Sequence, residues 1–182
     1  MKDFYLIFSF YIRYYLYEAP DLKRRGKYFM QWSKDHLETY VDTKEYIDTL
    51  LVPLVNINMK NDKQLIKSGL EREYIEILAY EIERRLAGRI MLLPTFVYTY
   101  NSHYDKEQER LNLWVQSFKQ ESFDNTFILT LDYEWSKRAQ DIDGHILWLS
   151  HIPFDHINEA SAKPFVKSQA DNLSETIQSF WS

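Results

Sequence analysis

The chain has 182 residues, 45% of them hydrophobic and 27% charged, which suits one globular domain with a sizeable core. It contains no cysteine, which excludes disulfides, thiolate metal sites and cysteine nucleophiles. The net charge of −5, without a dense basic stripe, argues against nucleic acid as a partner, because that binding depends on Lys and Arg that neutralise phosphates. The four glycines lie too far apart to form a Gly-rich phosphate loop: Gly26, Gly69, Gly88 and Gly144.

The first 29 residues differ in composition from the rest of the chain. They are rich in Phe and Tyr, and their apolar piece at residues 4–17 is too short to span a bilayer. Lys-Arg-Arg-Gly at residues 23–26 can be encoded by a purine-rich ribosome-binding sequence, at a suitable spacing for initiation at Met30. We therefore interpret residues 1–29 as a non-native N-terminal extension and residues 30–182 as a single α/β domain. The alternative is a real amphipathic helix that lies on a membrane surface.

Four apolar runs predict the strands of a sheet. The first is nearly continuous, as expected for a strand buried on both faces, and Pro53 should lie near its carboxyl end or at a bulge. Each run ends at a polar or Pro-marked break. The runs are Asp48–Ile57, Arg89–Tyr98, Thr126–Leu131 and His145–Leu149.

Stretches with helical periodicity lie between these runs. A short helix is predicted over Lys34–Tyr46, and the clearest helix is Gln64–Leu86, which Gly88 would cap. A third helix contains Leu111–Phe118, and Pro164 opens the last one. This alternation predicts an α/β fold, a three-layer sandwich with a mostly parallel sheet of four or five strands and helices on both faces.

Polar side chains follow the second and third predicted strands, where parallel α/β sheets place their functional residues. The loop from Tyr98 to Asp105 is rich in polar and aromatic residues, and His103 in it could act as a general base or metal ligand. A surface loop that covers the sheet is the alternative.

Asp132 and Glu134 come directly after the third strand. In extended chain, residues i and i+2 share a face, so we expect the two carboxylates to lie side by side, where they could hold a divalent ion or share a proton. Solvated turn residues are the alternative. The ligand-binding candidates are Tyr98, Tyr100, Asn101, His103, Asp132 and Glu134.

Three motifs resemble the YpiF-like family of uncharacterised proteins from Bacillus-like Gram-positive bacteria. They are Thr43-Lys-Glu-Tyr-Ile-Asp-Thr leading into Val-Pro-Leu, Glu83-Arg-Arg-Leu-Ala-Gly-Arg leading into Leu-Leu-Pro, and Arg110-Leu-Asn-Leu-Trp. The resemblance covers essentially all of residues 30–182. It implies a source and a size, and no established activity.

The order of elements is more distantly similar to that of creatininase-type metal amidohydrolases. The shared features are Val52-Pro53-Leu54, Leu93-Pro94 and the loop from Tyr98 to His103. Asn58 and Lys60 stand where the first Glu and His ligands of that family would fall, and Asp132 replaces the His before the retained Glu134. The resemblance therefore implies a fold relative that has lost the metal chemistry.

The sequence favours a non-catalytic cytoplasmic binding or accessory protein, whose site lies at the carboxyl ends of the strands. Its partner would be an unknown small ligand or protein, and no cofactor and no metal is predicted. A divalent-metal-dependent hydrolase with an altered site is the alternative, and a peripheral membrane protein that binds through residues 1–29 is a second one.

Overall fold

The structure is a computed structural model that describes residues 30–119 and 123–181, so the predictions for residues 1–29 lie outside the described residues. The fold is α/β, as predicted. Single turns of 3₁₀-helix follow the first and fourth helices. In chain order the elements are α1 Lys34–Thr43, β1 Thr49–Ile57, α2 Asp62–Arg85, β2 Ile90–Leu92, β3 Phe96–Thr99, α3 Tyr104–Lys119, β4 Asn125–Thr130, α4 Tyr133–Lys137, β5 His145–Trp148 and α5 Ala162–Gln178.

All strand pairs are parallel. The order is β2-β1-β4-β5, and β3 also pairs with β1, beyond the end of β2. The predicted second strand is therefore two short strands rather than one. Leu51 lies opposite Leu92 and Leu54 opposite Phe96, so the edge strand has one residue more than β1 across this interval, which makes a bulge.

Two prolines explain where this bulge lies. Pro94 falls between β2 and β3 and has no N–H to donate to β1. Leu51 faces the same neighbour, because its carbonyl accepts a hydrogen bond from the Leu93 N–H at 2.9 Å. Alternate residues of a parallel strand face the same neighbour, so Pro53 also faces the bulge, where the ladder is already broken. A proline in a central strand is tolerated for this reason.

Two hydrophobic cores lie on the two faces of the sheet. The side chains of β1 alternate between them: Leu51 and Val55 pack with α2 and α5, whereas Leu50, Val52 and Leu54 pack on the other face. That second core also contains Met30, Leu111 and Val115 of α3, and Trp135 of α4. These are the three layers that the alternation of strands and helices predicts.

The boundaries differ from the predicted ones in three places. The first helix ends at Thr43 as an α-helix and continues as a 3₁₀ turn to Tyr46. The last helix starts at Ala162, so Pro164 lies within its first turn, where its missing N–H is tolerated. The acidic segment after β4 contains the short helix α4. Within the described residues, no helix is both long enough and apolar enough to cross a bilayer.

Candidate functional site

The chain leaves two neighbouring strands toward opposite faces of the sheet. From β1 it continues into α2, whose Tyr74 and Leu78 belong to one core, and from β4 it continues into α4, whose Trp135 belongs to the other. β1 and β4 are adjacent in the sheet, although β2 and β3 come between them in sequence. This is a topological switch point, and open α/β sheets leave a crevice there at the carboxyl ends of the strands.

A cavity of about 260 Å³ occupies this crevice. Its walls come from the end of β1, the first half of α2, the loops after β3 and β4, and the start of α3 and α4. The lining residues are Leu54, Val55, Asn56, Asn58, Gln64, Lys67, Ser68, Glu71, Ile75, Tyr100, Tyr104, Thr130, Leu131, Asp132 and Tyr133.

Asp132 is held in place by three hydrogen-bond donors. Its Oδ2 accepts from the phenols of Tyr98 and of Tyr104, the latter at 2.7 Å, and its Oδ1 accepts from the Glu134 N–H at 3.0 Å. The last bond makes Asp132 the N-cap of α4. A carboxylate has about four acceptor positions, so about one is left for a ligand.

The two phenols and the indole of Trp135 pack edge to face. The ring centroids of Tyr98 and Tyr104 lie 5.5 and 6.0 Å from that of Trp135. Burial raises the pKa of both Tyr98 and Tyr104 above the ordinary value, and their hydrogen bonds to Asp132 raise it further. Both phenols therefore stay protonated near neutral pH and act as donors.

Asp132 and Glu134 do not lie side by side as predicted. A helix begins at Tyr133, so the chain between the two carboxylates is not extended, and residues two apart on a helix point in different directions. Glu134 instead pairs with the Lys137 ammonium on the outer surface of α4. The prediction assumed extended chain after the third strand, whereas Asp132 is the N-cap of a helix.

Asn56 contributes a buried polar atom without a partner. Its side chain lies near the end of β1 and lines the cavity, and its Oδ1 has no hydrogen-bond donor among the described residues. Buried polar atoms are nearly always paired, and leaving one unpaired costs about 1–3 kcal/mol. The wall of the cavity therefore contains a carbonyl oxygen that lacks a donor.

The other candidates occupy different positions. Tyr100 lines the cavity, and the Lys60 ammonium lies 5.6 Å from the centroid of its ring. Asn101 and His103 are exposed and do not line it. The His103 carbonyl accepts hydrogen bonds from the amides of Lys106 and Glu107, so the backbone of His103 takes part in the first turn of α3.

Sequence reasoning missed most of the α2 side of the cavity. Gln64, Lys67, Ser68 and Glu71 recur at helical spacing and continue the stripe that starts at the buried Ile75. Lys67 and Glu71 form an ion pair of 3.3 Å at the rim. The signal was present in the sequence, because polar residues that extend an apolar helix face indicate where that face leaves the core.

Within residues 30–119 and 123–181, no three His, Asp or Glu side chains converge on a point that could hold a metal ion. Asn58, at the position of the first creatininase-type ligand, lines the cavity, and Lys60 projects over Tyr100. The described side chains therefore offer the cavity neutral hydrogen-bonding groups, the carboxylates of Glu71 and Asp132, and the ammonium of Lys67.

The sequence was also compared with known proteins. Residues 38–181 match the family described as "Protein of unknown function (DUF2487)". The chain belongs to the DUF2487 family. It is 29% identical over 160 residues to the "Uncharacterized protein YpiF" of Bacillus subtilis (strain 168), a match that covers 84% of this chain and 99% of that protein. The resemblance to the YpiF-like family is confirmed. No solved structure is significantly similar to the chain.

The match to DUF2487 includes every residue that lines the cavity. Neither the family description nor the name of the relative states a function, so the similarity supports a relationship and no activity.

Proposed function

We propose that the protein is a non-catalytic cytoplasmic binding protein that holds a small polar molecule in the cavity between β1 and β4. The observation that carries the proposal is the position of the cavity at the topological switch point, with the unpaired Asn56 Oδ1 in its wall. The volume of about 260 Å³ suits a small metabolite.

The chemistry of the wall indicates the class of ligand. Asn56 Oδ1, Glu71 and the remaining acceptor position of Asp132 suit a molecule with amino or hydroxyl donors. Lys67 and the amides of Asn58 and Gln64 offer donors in return. A compact molecule that carries both donors and acceptors, such as an amino acid or a sugar, fits this set.

The arrangement supports binding over catalysis. Asp132 is occupied by three donors that hold the fold, so it is poorly placed to take a proton from a substrate. His103 is exposed and does not line the cavity. Among the described residues, no observation favours the hydrolase alternative, and a cytoplasmic location remains part of the proposal.

The test is a binding screen with a matched pair of variants. Amino acids, nucleosides and simple sugars are screened against the full chain by ligand-detected NMR. The best binder is then measured against Asn56→Leu and against Asn101→Leu, a similar change at an exposed position outside the cavity. We expect binding to Asn56→Leu to be at least about 10-fold weaker, because one buried hydrogen bond is lost, and binding to Asn101→Leu to be unchanged. A binder that is insensitive to Asn56→Leu, or no binder at all, would contradict the proposal.

A further inference from the structure

A buried carboxylate lies far from this cavity, in the second half of α2. Glu83 has a relative exposure of 0%, and its Oε1 accepts a hydrogen bond from the backbone N of Met30 at 2.7 Å. Its Oε2 is buried and has no hydrogen-bond partner among the described residues. The side-chain nitrogen of Gln31 is also buried and makes no well-formed hydrogen bond among the described residues, although it lies close enough to Glu83 to lower the pKa of that carboxyl.

Met30 is fixed at this place by the backbone and by the core. Its carbonyl accepts from the Leu92 N–H at 2.8 Å, so Met30 and Gln31 extend the sheet edge beside β2. Its side chain is 1% exposed and belongs to the core that contains α3. The nitrogen of Met30 is therefore held against the Glu83 carboxylate by contacts on both sides.

One backbone amide donor is too little to stabilise the charged form of this buried carboxylate. Burial raises the pKa of Glu83 to about 8, although the Met30 hydrogen bond and the nearby Gln31 side chain act in the opposite direction. A buried charge needs an opposite charge or several hydrogen bonds. An α-ammonium at the same position would bring a positive charge and three donors in place of one, enough to reach Oε2 as well.

We propose that Glu83 is the receptor for a free α-ammonium on Met30, so that the working chain begins at Met30 and its N-terminus forms a buried ion pair with α2. The sequence expectation of a start at Met30 rests on codon arguments, whereas the contact with Glu83 is an independent structural observation.

One further observation agrees with this start. The Bacillus subtilis relative is covered over 99% of its length by 84% of this chain, so about a sixth of this chain has no counterpart in it, and the match to the family begins at residue 38.

The first arm of the test identifies the N-terminus. The gene is expressed with its own upstream DNA, and the intact mass of the product is measured. We expect the mass of residues 30–182 with an unmodified N-terminal Met, and a mass that includes residues 1–29 would overturn the proposal. A free amine at Met30 could come from initiation or from proteolysis. Met30→Leu distinguishes them, because it abolishes the product if initiation occurs there and preserves it if a protease cleaves there.

The second arm measures the ion pair. Glu83→Gln is introduced both in the 182-residue chain and in the chain that begins at Met30. Gln resembles the protonated acid, so in the longer chain it should leave Tm unchanged near pH 4.5 and raise it at higher pH. In the shorter chain it leaves a buried ammonium unpaired and should lower Tm by roughly 6 °C or more. Glu81→Gln is the matched control, because Glu81 is also buried on α2 but pairs with Arg84 and Arg85 and should respond equally in both chains.

Equal effects of Glu83→Gln in the two chains would overturn the proposal. If Glu83→Gln does not fold in the chain that begins at Met30, the proposal is tested by acylation of the unaltered chain that begins at Met30. Its Met30 amine should then react at least about 10-fold more slowly with an acylating reagent in the native state than in urea. Equal rates in the two states would also overturn the proposal.

Discussion

Asp132 and Glu83 are two carboxylates of this fold that differ in how many hydrogen-bond donors they receive. Asp132 receives two phenol O–H groups, from Tyr98 and Tyr104, and the backbone N–H of Glu134. Glu83 is more deeply buried and receives one backbone N–H, from the first described residue. A carboxylate with three donors holds local structure, whereas a carboxylate with one donor needs a further partner.

The comparison extends to Asn56, whose buried oxygen also lacks a donor. Asn56 and Glu83 are two of the residues in the described part of the fold whose buried side chains contain an oxygen without a hydrogen-bond partner. We assign the first to a small ligand and the second to the N-terminal ammonium. The predictions below test whether these two residues differ from Asp132 as the geometry indicates.

The largest expected effect is the change with pH in the free energy of unfolding of the 182-residue chain. The folded pKa of Glu83 is about 8, against a usual value of 4.5, so the folded state favours the protonated acid. Glu83 therefore costs no stability below pH 4.5, and the free energy of unfolding falls as the pH rises from 4.5 to 8, by roughly 4 kcal/mol in total. Urea denaturation at several pH values measures this.

The Glu83→Gln variant isolates this contribution, because it keeps all other titrating groups, among them His36 and His145, whose pKa values burial lowers. The difference in unfolding free energy between the two proteins should grow from pH 4.5 to pH 8 in the 182-residue chain. A constant difference across this range would mean that Glu83 is ionised in the fold and already has an adequate partner.

The next effect is the loss of the Asp132 carboxylate. Asp132→Ala removes the N-cap of α4 and leaves the phenols of Tyr98 and Tyr104 without their acceptor, so we expect a loss of about 3 kcal/mol in unfolding free energy. Asp132→Asn keeps one side-chain oxygen, which can serve either the phenols or the cap, and should lose about 2 kcal/mol. Equal losses in the two variants would show that the negative charge itself, rather than the hydrogen bonds, holds this cluster.

The two phenols around Asp132 should differ from each other. Tyr98 is 3% exposed, whereas Tyr104 is only partly buried. Tyr98→Phe should therefore cost about 1.5 kcal/mol and Tyr104→Phe about 0.5 kcal/mol, because a buried donor loses more when its bond is removed. Chemical denaturation of both variants measures the two losses of unfolding free energy. A larger loss for Tyr104→Phe would mean that the Tyr104 hydroxyl, rather than that of Tyr98, is the more deeply buried donor.

The smallest expected effect is a small gain in stability, whereas the substitutions around Asp132 should cause losses. Asn56→Leu removes a buried oxygen that has no donor in the described structure, so the free protein should keep its stability or gain up to about 1 kcal/mol. Asn61→Leu is a useful contrast, because Asn61 caps α2 through its bond from the Gln64 N–H and its loss should cost about 1 kcal/mol. A marked loss of stability in Asn56→Leu would indicate that Asn56 has a structural partner.

Much of the fold could be predicted because its signals are local and repeated. The central strand β1 is almost continuously apolar, and α2 has periodic apolar residues from Leu70 onward, so both were predicted within a few residues of their bounds. The interruption of the edge strand was missed because it depends on hydrogen bonding between strands. Pro94 cannot donate an N–H to β1, and the hydrophobic pattern of a single segment gives no information on such pairing. The helix α4 was missed because it has five residues, too few for a periodic pattern.

The candidate site could be predicted only as a region. Topology identifies the edge of the sheet, and the loops with Tyr100 and Asp132 do lie there. Which side chains turn inward depends on contacts between distant segments, such as the phenols of Tyr98 and Tyr104 on Asp132. The burial of Glu83 was equally invisible, since a Glu in a run of Glu and Arg normally marks the exposed face of a helix.

The central claim is that the cavity between β1 and β4 is where this protein binds its ligand. Its most direct test is a set of ¹H–¹⁵N correlation spectra of the full chain, recorded while the best binder of the small-molecule screen is added. We expect the shifted amides to cluster at residues 54–58, 64–71 and 130–133, around the cavity. Shifts that cluster instead around the second groove, lined by Phe96, Arg110 and Trp114, would contradict it.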